Sequence, residues 1–555
     1  MSDTATSAGT GDGANAETAA RGVTWRRLLV YAVVLFLVWV VILGVWQGTF
    51  VRLLRMAGVL PPDLRPPFRV STETTGITAP LDKYGWPDYV AAFNAEQSKG
   101  VTPETNFVVA LREILGDREI PGGSAAAFDA ALGLARPITT KPLYRGEGDV
   151  LSRLTSEERT KVRDEDQKKA LLAPWTAATF PHLAELVNAN TAAVEALVEA
   201  SKRPHFFLPI VETETDDREK RGVVRYHAGD AARFRELLPL LVARTTRDDV
   251  RLTCQERMDG CVASLRVGRL VGQPRLVIHV ALQFAAEIHG FRGLSVWLGR
   301  SDIAEADLDR LLGELESLPA RIATADALKG NEQDFLVDYL VQAARRRQFA
   351  EEIVGYNMVT PVMQRCVRYG PVDWNLALSE VRSHCSETAR ILRIQKLSDQ
   401  KTELDALVSR LSKEADGWKT PWGQTVGPVV ANPKSNARRL AATLCLTARA
   451  VWNRMYWSER WATARDRVLR LAIAVRRHQL RTGGWPTGLG DVTGAEAVGR
   501  ADPCVDGGEL IYRVTADGFV IYSVGENGRD DRGENAETAP ASGADDIAIR
   551  VRLAQ

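Results

Sequence analysis

An excess of charge of either sign is missing from this 555-residue sequence, in which 71 Lys and Arg are met by 70 Asp and Glu. So even a balance leaves no long-range field to draw in nucleic acid, and no nucleic-acid partner is expected. The basic run Arg345-Arg346-Arg347 reads as the solvated face of a helix. Cysteines are scarce, six in all, too few to staple a chain of this size. The nearest two, Cys254 and Cys261, would stand about 10 Å apart along a continuous helix, beyond bonding reach unless the chain breaks at Asp259-Gly260. They fit no zinc spacing and read as free thiols. Seven histidines are scattered, with no H-E-x-x-H and no Cys–His ligand pattern. His279, set among Leu276, Val277, Ile278 and Val280, reads as a satisfied core histidine. Nucleophile-elbow and phosphate-loop motifs are also absent, so no catalytic residue is nominated.

What the sequence does contain is one long apolar run. Leu28 to Trp46 is nineteen residues without a charge, which as a helix spans about 28 Å, close to the hydrocarbon thickness of a bilayer. Trp25, Tyr31 and Trp46 lie near its ends, where aromatic rings suit the interface. It exceeds a signal-peptide core and lacks an A-x-A-type cleavage site, so a retained single-pass anchor is expected over 25–48. Arg21, Arg26 and Arg27 precede it and Arg52 and Arg55 follow it. That bias favours a cytoplasmic N-terminus, with the bulk of the chain outside a bacterial inner membrane. Residues 1–24, rich in Ser, Thr, Ala, Gly and Asp, are expected as a disordered cytoplasmic tail. The next most apolar stretch, Leu276–Ala286, is short and holds His279 and Gln283, so it reads as a core helix.

Pro61-Pro62 and Pro66-Pro67 predict an extended spacer over 49–84. A mainly helical extracytoplasmic domain follows over 85–460, an irregular bundle or stacked helix pairs. Asp88–Lys99 carries Val90, Ala91 and Phe93 at helical spacing and stops at Gly100. Thr102 then looks like the cap of a helix to Leu115, with Pro103 in its first position. Asp302 and Glu305 have capping-box spacing before a stripe of Leu308, Leu311, Leu312, Leu315 and Leu318. Phe335, Leu336, Tyr339, Leu340 and Ala343 form another stripe. No fixed-period repeat is present. The stretch DYVAAFNAEQSKGVTPETNFVVALREILG, Asp88 to Gly116, resembles the opening of a family of uncharacterised, single-pass membrane-anchored proteins of planctomycete-type bacteria. That resemblance implies an architecture and no activity.

Over 461–555 the period changes. Ala462–Leu480 reads as a helix that stops at Gly483-Gly484. Leu510–Val514 and Phe519–Val524 flank T-A-D-G, a hairpin signal, and Asp546–Leu553 alternates apolar and polar. A small α+β module, one helix on a three-stranded antiparallel sheet, is expected. Between the last two strands, Glu526–Asp546 sets seven carboxylates against two arginines, leaving open either a solvated loop or a calcium site. The order helix, G-G-W-P, Asp502-Pro503, hairpin, Tyr522–Gly528, acidic loop and Asp545–Ile547 resembles the C-terminal part of the major pseudopilin of type II secretion. The resemblance implies a calcium ion held by Asn527, Asp545, Asp546 and the Val524 carbonyl. Asn527 stands where the family has a charged ligand, and the module follows more than four hundred other residues, which makes a fibre subunit improbable.

The expected function is therefore that of a membrane-tethered envelope protein with an interaction or scaffolding role, its partners the lipid bilayer and other envelope proteins. An envelope hydrolase with a dispersed active site, and an accessory component of a type II secretion-like apparatus, stay open as alternatives.

Overall fold

The computed structural model describes residues 25, 27–41, 54, 64–116, 125–138, 141–211, 234–348, 360–425, 427–535, 538 and 543–553. The chain is mainly helical, with one three-stranded antiparallel sheet in the order β1 (Ile511–Thr515), β2 (Gly518–Ser523) and β3 (Ile547–Arg552). Residues 27–41 are helical, and the large apolar side chains from Leu28 to Val41 are 45–67% exposed. Residues 26 and 42–48 of the expected anchor lie outside the described residues, and among those described no helix is long and apolar enough to cross a membrane.

Two helices form the central hairpin. The first, Cys254–Val271, opens on a capping box: Thr253 Oγ1 accepts from Glu256 N at 3.1 Å and the Glu256 carboxylate accepts from Thr253 N at 2.7 Å. It is continuous, so Cys254 and Cys261 stay apart, and all six cysteines are free. The second, Val277–Leu298, contains the expected core segment. His279 is fully buried in it, its Nδ1 2.8 Å from the Val271 carbonyl. The two helices touch backbone to side chain because Gly290 has no Cβ; one there would stand 2.8 Å from Cys261 O and 2.7 Å from Leu265 Cδ2.

The longest element, Pro433–Thr482, begins at an Asn432 cap and ends at Gly483 in the left-handed conformation. At 50 residues it is about 75 Å long. The boundary expected at residue 460 falls inside it, because the apolar pattern continues upstream through Ala437, Leu440, Ala441 and Leu444. Those residues pack with Ala377, Leu378 and Val381 of the Trp374–Leu392 helix in one core. Downstream, Val468, Leu471, Ala472 and Val475 join Phe519, Ile521, Ile549 and Val551 of the sheet, Leu294 and Trp297, and Leu308, Leu311 and Leu315 in another. The expected helix-on-sheet arrangement thus forms, but helices from the middle of the chain complete its core. A further core gathers Phe107–Leu115, Leu183, Leu197, Leu237 and Leu241.

Several local expectations give way to contacts between distant residues. The helix after Gly100 starts at Phe107, not at Pro103. Its cap is Asn106, whose Oδ1 accepts from Val108 N and from Phe207 N while its Nδ2 donates to Phe207 O at 2.9 Å. Asn94, in the preceding Tyr89–Gln97 helix, clamps Ile210 through both backbone groups in the same way. Asp302 is bound by Arg300 at 2.9 Å, and the helix Glu305–Ser317 is opened by Asp307, which accepts from Ala304 N at 3.0 Å. Arg345 and Arg346 are buried instead of forming a solvated face: Arg345 meets Asp82 at 2.6 Å and lies over the Trp86 ring. The described part of the expected spacer packs on the helices. Trp86 Nε1 donates to Leu64 O at 2.7 Å and Tyr89 Oη to Thr75 O at 2.6 Å.

Candidate metal centre

β1 and β2 pair from Ile511↔Tyr522 to Thr515↔Gly518, so Ala516 and Asp517 alone make the turn. β2 then pairs with β3, with Phe519 opposite Val551 and Ser523 opposite Ile547. The chain between Ser523 and Ile547 leaves the sheet and returns beside itself, and carboxylates fix its course. Asp502, 4% exposed, accepts from Ser523 Oγ at 2.7 Å and Cys504 N at 2.8 Å with one oxygen and from Val524 N at 3.1 Å with the other. At Gly525 the backbone turns with φ +67°, and a Cβ would lie 2.4 Å from Asp545 O. That turn aims two amides at one acceptor: Asp545 Oδ2 takes Glu526 N at 2.9 Å and Asn527 N at 3.0 Å.

The returning strand is tied in similarly. Asp530 Oδ1 accepts from Tyr522 Oη at 2.8 Å and Arg532 N at 2.9 Å. Asp531 Oδ2 accepts from Asn527 Nδ2 at 2.9 Å and Asp545 N at 3.3 Å. Asp546 Oδ2 accepts from Gly533 N at 2.7 Å, and Asp546 N donates to Glu534 O at 3.0 Å.

These bonds converge three carboxylates. Asp531, Asp545 and Asp546 each present an oxygen within 4.8 Å of the other two. Ligands of one calcium ion stand about 2.3–2.6 Å from it, and so at most roughly 5 Å from one another. The trio meets that limit. Asp545 Oδ1 and Asp546 Oδ1 are both shielded from solvent and have no hydrogen-bond partner. Asp546 as a whole is 1% exposed. Burial pushes the Asp546 carboxyl up to about 6; the Gly533 N–H opposes this, while Asp531, Asp530 and Asp545 add to it by repulsion. Glu526 is raised too, by burial and by Asp545. Orphaned buried carboxylate oxygens that repel one another fit a hard divalent cation, and a donor set of oxygens alone suits calcium over zinc.

Two of the residues named from the sequence, Asp545 and Asp546, are in this trio. Asn527 sits beside it with both amide atoms committed, Nδ2 to Asp531 and Oδ1 to Arg529 N at 2.7 Å. It positions Asp531, the member that sequence reasoning counted in the acidic loop without nominating it. Val524 contributes its N–H to Asp502, on the Ser523 side of the turn. The site would hold its ion through Asp531, Asp545 and Asp546, closing the loop onto β3.

No protein-family model, no curated protein and no solved structure matches this chain.

Proposed function

We propose that this chain is a membrane-tethered protein of the bacterial envelope that displays a helical body as an interaction platform, its C-terminal loop fastened by calcium. The observation that carries the tether is the helix over 27–41. Thirteen large apolar side chains from Leu28 to Val41 are about half exposed. Leaving them in water costs on the order of 10–20 kcal/mol relative to an apolar environment. Lipid supplies that environment around the whole circumference of a helix, which one protein face does not. Five further uncharged residues, Ile42 to Trp46, extend the run to bilayer length. With its N-terminus inside, everything after residue 48 stands on the outer side, where calcium reaches millimolar levels and weak extracellular-type oxygen sites are filled. The ion would then stabilise the end of the body farthest along the chain from the anchor.

Alkaline carbonate extraction of membranes tests the tether. The full chain should stay with the lipid pellet, and Leu35→Asp with Val38→Asp should move it to the supernatant. Protease added outside spheroplasts should digest the body. A wild-type chain washed off by carbonate, or a body resistant to outside protease and cut only after lysis, overturns the proposal.

A further inference from the structure

The chain enters the body from the anchor side at one end of the longest helix. Arg69 N donates to Asn375 Oδ1 at 2.7 Å, in the first turn of the Trp374–Leu392 helix. Beside it Asp373 N donates to Pro433 O at 3.1 Å, at the start of the long helix. Asn436 Nδ2 donates to Pro371 O at 2.9 Å and Pro428 O at 2.7 Å, which brings the Pro361–Tyr369 and Gly427–Val430 helices to the same end. The sheet with its metal centre packs against Val468 and the residues beyond it, roughly 50 Å further along the long helix. Over 64–75, 361–375 and 427–436 the sequence sets Arg65, Arg69, Arg365, Arg368 and Lys434 against Glu73 and Asp373. Asp373 is committed to capping, its Oδ1 accepting from Leu376 N at 3.1 Å. Arg69, Arg365, Arg368 and Lys434 are exposed, and no ion pair joins any of them to a carboxylate of the described residues. Apolar side chains accompany them: Tyr369, with the Arg368 guanidinium over its ring, and Leu64 are each 37% exposed, and Val430 is 54% exposed.

A chain of balanced charge that gathers cations and exposed apolar groups at the end nearest its anchor presents what an anionic lipid surface takes. Guanidinium and ammonium groups pair with headgroup phosphates, while tyrosine rings and aliphatic stems sit at headgroup level. Distance permits the contact: residues 49–63, which separate the span from Leu64, reach at most about 50 Å even when fully extended. We propose that this end of the body docks on the membrane surface, with anionic phospholipid headgroups on Arg69, Arg365, Arg368 and Lys434 and with Tyr369 and Val430 in the interface. Each basic residue strengthens such docking about fivefold, and the tether supplies the proximity that lets so few suffice. The calcium-fastened sheet then points away from the bilayer. The inference rests on the membrane tether and is independent of the calcium centre.

The test uses the full chain with Cys254→Ser in proteoliposomes, a fluorophore placed in turn on Tyr369→Cys, Val514→Cys and Leu35→Cys, and nitroxide-bearing lipids as quenchers. In vesicles of about 40% phosphatidylglycerol at low salt, a headgroup-level nitroxide should quench the label at 369 and spare the one at 514, which is exposed on β1 at the far end. Quenching at 369 should vanish in phosphatidylcholine vesicles, and also in 1 M salt, where the Debye length falls to about 3 Å. Arg365→Gln, Arg368→Gln and Lys434→Gln together should lower the ratio of docked to undocked body roughly a hundredfold. Val430→Cys serves as the label site should Tyr369→Cys not fold. The label at 35, quenched by an acyl-chain nitroxide, reports the tether separately. A quenched 35 with an unquenched 369 in the phosphatidylglycerol vesicles would overturn the docking and leave the tether standing, whereas an unquenched 35 would remove the tether and the docking with it. Quenching at 369 that is equal in phosphatidylcholine, or unmoved by salt and by the three substitutions, would overturn the assignment to anionic headgroups.

Discussion

Replacing Asp546 by asparagine should make the ion-free protein more stable and, at the same time, unresponsive to calcium. The opposite signs follow from the geometry. Asp546 Oδ2 accepts the Gly533 N–H at 2.7 Å, a bond the asparagine Oδ1 can keep. Its other oxygen has no partner, and the carboxyl lies in one cluster with those of Asp531 and Asp545. Burial with this repulsion lifts the carboxyl from 3.8 to about 6. For an acid whose pKa is raised by folding, stability is lost as pH climbs from the unfolded value to the folded one, and the loss is complete above about 6. At pH 8 in chelator the penalty is therefore about 3 kcal/mol by linkage, or on the order of 1–2 kcal/mol once screening at the loop edge is allowed for. The amide removes it. In a chain of this length that is a rise of about 1–3 °C in Tm, and slower hydrogen exchange at the Gly533, Glu526 and Asn527 amides is the more local readout. A bound cation inverts the logic, since it stabilises the ionised carboxylates. Millimolar calcium should raise the wild-type Tm and protect the same amides, by RT ln(1 + [Ca]/Kd), and leave Asp546→Asn unchanged. The wild-type affinity should fall about tenfold per pH unit below 6, as a proton competes for the site. A variant less stable than wild type in chelator, or one that responds to calcium as wild type does, would refute the reasoning.

Three further outcomes test the body. Gly290→Ala puts a methyl 2.8 Å from Cys261 O and 2.7 Å from Leu265 Cδ2; the central hairpin must part, at about 1–3 kcal/mol, and an unchanged urea midpoint would contradict the packing. Asp129→Ala removes the carboxylate that Arg112 meets at 3.1 Å with 1% exposure each, and with it the acceptor of Ile138 N at 2.9 Å, while Arg112 keeps the Ile138 carbonyl; the loss should be about 3 kcal/mol, and one below about 1 would show that the pair is not buried. Thiol labelling at pH 8 without denaturant should reach Cys254 first, the one cysteine not fully buried. It should be slow there, because burial pushes that thiol up to about 11 and Cys261 and Cys504 to about 12; rapid modification of all six would contradict the burial.

How much of this was legible in the sequence depends on how far apart the partners lie. The strands are local: T-A-D-G and the alternation of Ile547, Ile549 and Val551 encode a hairpin and a one-sided face, and β1 to β3 follow within a residue or so. The leucine stripe before Pro319 is equally local, with Leu308, Leu311 and Leu315 buried as their spacing requires. The cap at Asn106 is not, because its partner is Phe207, 101 residues on. Nor is the burial of Arg345, whose carboxylate lies 263 residues away. The long helix was half read: its downstream face shows against the β pattern that follows, while its upstream half answers to Trp374–Leu392, a partner no spacing announces. In the metal centre, Asp545 and Asp546 stand out as a pair at the start of β3. Asp531 joins them through the Asn535↔Asp545 bridge, the Asn527 side chain and the Asp545 N–H, and an acidic loop offers many equivalent carboxylates until those bonds are known.

The central claim is that the apolar helix near the N-terminus lies in lipid, and depth measurement by spin labelling addresses it most directly. With Cys254→Ser to silence the most accessible native thiol, a nitroxide at Leu35→Cys in proteoliposomes should collide freely with oxygen and hardly at all with a water-soluble nickel chelate, the contrast fading toward Trp25. A label at position 35 that meets the nickel chelate as readily as one at Trp25 would place the helix in water and contradict the account.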